Sequence, residues 1–177
     1  MHEQMREYNE KVQSHVLPKF CDFPDIDLYM DQVIALMQKY LGPYMISEDM
    51  LTPSMINNYV KINALPAPVS KRYSKEHIAR LVVICLMKRQ LSIPVISSII
   101  EEQVRSSGLE NFYNSFVSSY EASFKTAAQD VNSQDNLLIC SLNLAICAAV
   151  NHTMAEIAVS ICDLDHSKEH SKEKNKK

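Results

Sequence analysis

The sequence predicts an all-α fold, on three observations. Hydrophobic residues make up 46% of the 177-residue chain, enough to bury a core in one good-sized domain or two small ones. Two glycines and no tryptophan leave little turn chemistry for a protein of many short strands. Apolar residues also recur three and four places apart in successive segments, each bounded by residues that start or stop helices.

Residues 1–25 are polar and contain Pro18 and Pro24, which suits a short amphipathic helix followed by an extended linker. Next, Ile26, Met30, Val33, Ile34, Met37 and Leu41 stand at helical spacing. Asp25 or Asp27 can cap that helix, and Gly42-Pro43 stops it. Thr52-Pro53 is an N-cap followed by proline at the first helical position, where the missing N–H costs nothing. The helix it opens puts Met55, Ile56, Tyr59 and Val60 on one arc and Ser54, Asn57, Asn58 and Lys61 on the other. Pro66 and Pro68 forbid helix through "ALPAPVSKRY", and Val69 to Tyr73 suits a small strand or hairpin arm. Ser74 caps a helix to about Arg89, whose middle "LVVICLM" is apolar nearly all round and so buried on several sides.

Ser92, with Pro94 close behind, opens a helix that ends near Gly108. A further helix from about Glu110 sets Phe112, Phe116, Tyr120 and Phe124 four apart, a stripe expected in the core. A last long helix is expected from about Gln134 to Asp163. Its most apolar part, "LLICSLNLAICAAV", falls short of the roughly 20 residues a bilayer requires, so it reads as a buried helix rather than a membrane span. The charged tail 166–177 lacks apolar residues and is expected to be disordered. The organisation that follows is N-terminal helices in 1–44, a helix-turn-helix with a wing in 45–90, a helical region in 91–165, and the tail.

Charge is concentrated. Residues 52–90 hold seven basic side chains (Lys61, Lys71, Arg72, Lys75, Arg80, Lys88, Arg89) and one acidic one (Glu76), between flanks that are net acidic. Such an island is an anion-binding surface or a patch neutralised within the fold. A DNA-reading helix needs one buried face and one face of donors that reach base edges. Asn57 and Asn58 can bond adenine, and Lys61 can bond guanine or a phosphate. Ser54, Lys71, Arg72, Tyr73 and Lys75 are the candidates for holding the backbone of double-stranded DNA. The competing reading is a protein-interaction module that keeps the same helical scaffold without binding DNA.

The arrangement resembles the winged helix-turn-helix of the MerR family, which has a Thr-Ile-Arg-Tyr-Tyr-type recognition helix, a Leu-Leu-x-Pro turn, an Arg-x-Tyr wing and a Ser-x-Glu-capped helix. Here "SMINNY", "ALPAP", "KRY" and "SKEHIARL" stand at those places. Tyr59, Leu65, Pro66, Tyr73 and Leu81 match best, and Lys71 stands for the wing arginine. The chain departs at Asn57, where that family usually has a basic residue, and in the long helix that precedes the motif. The resemblance implies a MerR-like winged helix-turn-helix embedded in a helical bundle. Over roughly residues 15–165 the chain is also similar to an uncharacterised bacterial family catalogued as domain of unknown function 1836. That similarity implies a helical fold with a MerR-like part and no established activity.

Other chemistry finds little support. There is no Gly-rich phosphate loop, no G-x-S-x-G and no H-E-x-x-H, so no enzyme, cofactor or metal site is expected. His152 and Glu156 are four apart on the last helix, with Asp163, Asp165 and His166 following, but a metal needs three or four convergent ligands. His77 is expected to cap a helix or face solvent. Five scattered cysteines without a C-x-x-C read as buried small hydrophobes in a reducing cytosol. The charged opening "MHEQMREYNEKVQ" does not suit a signal peptide, and a cytoplasmic location is expected. The last helix can join two copies into a homodimer or be the centre of a monomeric bundle. The need of the aromatic helix for a packing partner favours the bundle.

Overall fold

The computed structural model describes residues 3–45, 50–132 and 136–174. They form two compact units, Met1–Asp135 and Asn136–Lys177. In the first unit, α1 (Glu3–Ser14) is followed by a 3-10 turn at Phe20–Asp22, α2 (Met30–Leu41), and a second 3-10 turn at Gly42–Tyr44. Then come α3 (Pro53–Lys61), α4 (Lys75–Met87), α5 (Ile93–Ser107) and α6 (Leu109–Asn132). The second unit holds α7 (Leu137–Lys174). Among the described residues, β structure is limited to two isolated antiparallel bridges, Leu28 with Tyr73 and Val69 with Arg72.

The core is built around α4, as its all-round apolar sequence requires. Ile78, Ala79, Leu81, Val82 and Ile84 are fully enclosed. α2 brings Val33, Met37 and Leu41 to that cluster, α3 brings Ile56 and Tyr59, α5 brings Ile96 and Ile100, and α6 brings Tyr113 and Val117. Each such side chain contributes about 1.5–3 kcal/mol by leaving water. Gly108 alone joins α5 to α6, at φ +81 and ψ 152, a conformation that L side chains rarely adopt.

Several expectations change. α2 starts at Met30, later than expected, because Leu28 pairs with Tyr73 before the helix begins. Neither Asp25 nor Asp27 caps it; Gln32 reaches back to accept the Tyr29 N–H at 2.9 Å, and Ile26 is left exposed outside the helix. On α6 the stripe Phe112, Phe116, Tyr120 and Phe124 is only half-buried. Tyr113 and Val117, one residue further round, form the buried line. The stripe finds its partner in Tyr44, whose ring meets Tyr120 and Phe124 edge to face at 5.7 and 5.1 Å. The linker after α1 is extended only in part, since the 3-10 turn at Phe20–Asp22 interrupts it, and Leu17 and Phe23 from it are buried.

α7 departs most. Leu138, Ile139, Leu142, Ile146, Val150, Met154, Ile157 and Ile161 are exposed, so the helix expected to be buried is exposed along most of its length, although Cys140 is buried. The described part of its unit contains no second element to cover it. By length and composition, Leu137–Cys162 could cross a bilayer. The helix runs on to Lys174, through most of the tail expected to be disordered. No glycine or proline after Asn136 interrupts it. Three of the five cysteines, Cys21, Cys147 and Cys162, are exposed rather than buried. Cys85 fits the expectation: burial pushes its thiol up to about 12, which makes it inert.

Candidate nucleic-acid interface

α3 starts where the Thr52 hydroxyl accepts the Met55 N–H at 3.3 Å, with Pro53 at its first position. It ends in a Schellman motif. The Asn63 N–H donates to the Val60 carbonyl (3.1 Å) and the Ala64 N–H to the Tyr59 carbonyl (2.9 Å), with Asn63 at φ +58. Between these caps Ile56 and Tyr59 are buried and Met55 and Val60 half-buried, while Ser54, Asn57, Asn58 and Lys61 are exposed together. The two arcs expected from the spacing are therefore present.

The chain then makes a two-residue hairpin. Val69 and Arg72 exchange both backbone hydrogen bonds, at 3.1 and 2.9 Å. Ser70 and Lys71 between them have φ of +50 and +62. Two positive φ values mark a type I′ turn, whose usual occupants are Asn and Gly. Lys71 thus holds a place that turn chemistry alone would give to glycine. One residue on, Tyr73 and Leu28 also exchange two hydrogen bonds, at 2.9 and 2.8 Å. The segment ahead of α2 is thereby stitched to the hairpin.

Alternation along the strand decides which side chains face out. Tyr73 is 3% exposed, lies opposite buried Leu28 and sets its ring edge-on to His77 at 5.5 Å. The backbone-holding role expected for Tyr73 is therefore corrected: it is a core residue. Arg72, its neighbour, points to the other face. Its guanidinium lies over the Tyr29 ring, 4.9 Å from the centroid, and donates to the Tyr29 hydroxyl at 3.0 Å. No sequence pattern singled out Tyr29, because a single bridge is too short to show an alternation.

The basic island divides. Lys61, Lys71 and Arg72 are exposed, and among the described residues no carboxylate pairs with them. Lys75 differs from expectation: its ammonium is 2.8 Å from the Asp25 carboxylate and lies over the Phe20 ring, so its charge is answered within the fold. Arg80 is buried and paired with Glu101 at 2.6 Å. Lys88 and Arg89 also have interaction partners. Of the acidic residues that could cover this face, Glu48 and Asp49 lie outside the described residues.

His77 caps α4 as one of the two expected alternatives, although it is buried. Its Nδ1 accepts the Ser74 N–H at 3.0 Å, which fixes the neutral ring with its proton on Nε2. Burial lowers its pKa, against the opposing pull of the Ala67 and Pro66 carbonyls and of Glu76 and Asp27. The unfolded chain takes up this proton near pH 6.5, the ordinary histidine value, and the folded chain only at lower pH. Stability from the neutral ring is therefore complete above that pH and is lost as pH falls from there towards the folded pKa. Glutamine at this position keeps an acceptor for the cap without titrating. The stability advantage of the wild type over His77→Gln, followed by thermal denaturation, is expected to shrink between pH 7.5 and 5.5; a constant difference would refute the assignment.

Other places offer less chemistry. A cleft of about 170 Å³ is lined by Tyr44, Met45, Cys85, Leu86, Arg89, Gln90 and Tyr120, smaller than the roughly 300–1,000 Å³ of ordinary ligand sites. His152 and Glu156 are 3.6 Å apart, and no group of three metal-ligating side chains occurs among the described residues. The side chains of Asp163, Asp165 and His166 lie outside them.

No curated protein and no solved structure matches the chain. One family model does, over residues 18–116, which takes in α2 to α5, the hairpin and the start of α6. Since that is more than half of the chain, the protein belongs to the family described as Domain of unknown function (DUF1836).

Proposed function

We propose that the chain is a DNA-binding transcriptional regulator with a MerR-like winged helix-turn-helix, working in the cytoplasm without enzymatic activity. In this reading Asn57, Asn58 and Lys61 of α3 meet base edges in the major groove, Ser54 approaches the backbone near the helix start, and Lys71 and Arg72 hold phosphates from the hairpin. The observation that carries it is the hairpin tip. An exposed lysine, unpaired among the described residues, occupies a left-handed turn position, where glycine would be less strained. A homodimer joined through α7, whose large apolar side chains are exposed, is compatible with the same reading.

A protein-interaction role for the same scaffold is favoured by Val69, 73% exposed beside the tip, and by exposed Ile26. Binding of genomic duplex fragments at two or more salt concentrations separates the two. Lys61, Lys71 and Arg72, unpaired among the described residues, predict a slope of log affinity against log salt of about −3 per chain, from about −0.9 per phosphate. Lys71→Ala/Arg72→Ala is expected to reduce the slope by about 2 and to weaken binding across sequences alike. Binding that ignores salt, or that the double variant leaves unchanged, would favour the interaction module.

A further inference from the structure

We infer that Tyr29 is the positioning residue of the hairpin cation: its ring and hydroxyl hold the Arg72 guanidinium in one outward pose, so that Arg72 meets a phosphate as a fixed fork. The inference rests on the DNA reading for what the fork grips, and on the geometry alone for the fork itself.

The geometry begins with the backbone. Leu28 and Tyr73 exchange two hydrogen bonds and are therefore a hydrogen-bonded pair of an antiparallel ladder. The next residue on one side, Tyr29, stands opposite the preceding residue on the other, Arg72. Such a non-hydrogen-bonded pair has the closest side chains in a ladder. Leu28 and Tyr73 are buried, so their neighbours Tyr29 and Arg72 share the solvent face.

Both backbones are also fixed from the far side. Arg72 exchanges two further hydrogen bonds with Val69, and the Tyr29 N–H is held by Gln32 in the first turn of α2. The two side chains then meet in two ways at once. The guanidinium carbon is 4.9 Å from the ring centroid, and one Nη donates to the Tyr29 hydroxyl at 3.0 Å. Arginine has five N–H donors, and this contact uses one edge of the fork. The remaining donors are presented without an acidic partner among the described residues. A free arginine loses rotamer entropy when it grips an anion; one already stacked loses less. Lysine could lie over the ring as a point charge, as Lys75 does over Phe20, but it has no planar fork to be held in one orientation.

Two measurements test this. In the uncomplexed protein, NMR order parameters of the Arg72 Nε–H are expected to be high, to drop in Tyr29→Ala and to lie between in Tyr29→Phe, which keeps the ring and loses the hydroxyl. With a duplex fragment, Tyr29→Ala is expected to weaken binding about fivefold and to have no effect in an Arg72→Ala background. An Arg72 signal indifferent to Tyr29→Ala would overturn the inference whatever the DNA result. So would a loss from Tyr29→Ala that is equally large without Arg72, since that would be a general structural effect. Absence of salt-sensitive duplex binding by the wild type would overturn the DNA reading alone, and the Arg72 signal would still decide on the fork.

Discussion

Tyr113→Ala is expected to destabilise the first unit by about 4 kcal/mol, within the usual 3–5 kcal/mol for removing a buried aromatic side chain. Tyr113 is completely enclosed, with its ring 5.1 Å from that of Phe23 and 6.3 Å from that of Phe20. Its hydroxyl donates to the Pro18 carbonyl at 2.9 Å, and burial pushes the phenol far above its ordinary pKa, so it stays a donor at any working pH. Around it α6 holds the extended N-terminal segment by two more bonds: Glu121 accepts the Leu17 N–H at 2.6 Å and Asn114 accepts the Phe20 N–H at 2.9 Å. That segment leads to Leu28 and Tyr29, the residues that meet the hairpin. Tyr113→Phe isolates the hydrogen bond and is expected to cost about 1 kcal/mol. Urea denaturation reads both through the midpoint, with the slope nearly unchanged. A cost for Tyr113→Ala below about 1 kcal/mol would mean that the segment is held by the rest of its contacts.

The helices were legible because their signals are local. Thr52-Pro53 opens α3 and Gly108 closes α5 where their residue types require, and the amphipathic division of α3 follows from its own spacing. What the sequence concealed depends on distant partners. Tyr73 could be read as a wing residue because nothing local shows that Leu28, 45 positions earlier, will draw it inward. Lys75 looks like any cation of the island until Asp25 is placed beside it. The aromatic stripe of α6 is the most visible line on the helix, yet burial falls on Tyr113 and Val117, since the direction of the core is set by α4 and α5. On α7, an apolar run too short for a bilayer suggested a buried helix, but burial requires a neighbour that the described part of its unit does not supply.

Arg80 and Glu101 are expected to respond asymmetrically to mutation. Arg80 is 9% exposed next to the apolar run Leu81–Met87 of α4, Glu101 is 55% exposed on α5, and the two meet at 2.6 Å. The Arg80 Nε is buried without a hydrogen-bond partner, so the guanidinium is already incompletely satisfied. Removing Glu101 leaves a buried charge with no other acidic partner among the described residues. Glu101→Ala is therefore expected to cost about 2 kcal/mol, below the 3–5 kcal/mol of a fully buried pair because solvent reaches the carboxylate. Arg80→Met is expected to be near neutral: it fills similar volume, removes the unsatisfied Nε, and leaves Glu101 free to hydrate. Glu101→Ala should then add almost nothing in an Arg80→Met background, which chemical denaturation of the four proteins would show. Equal costs for the two single variants would contradict the asymmetry. The same variant bears on function. Arg80 belongs to the basic island by sequence but faces the core by structure, so Arg80→Met should leave the salt dependence of duplex binding intact. Lys71→Ala should lower that slope by about 1. If Arg80→Met lowered it as much, the island would be acting through its total charge rather than through the cations that the hairpin and α3 present.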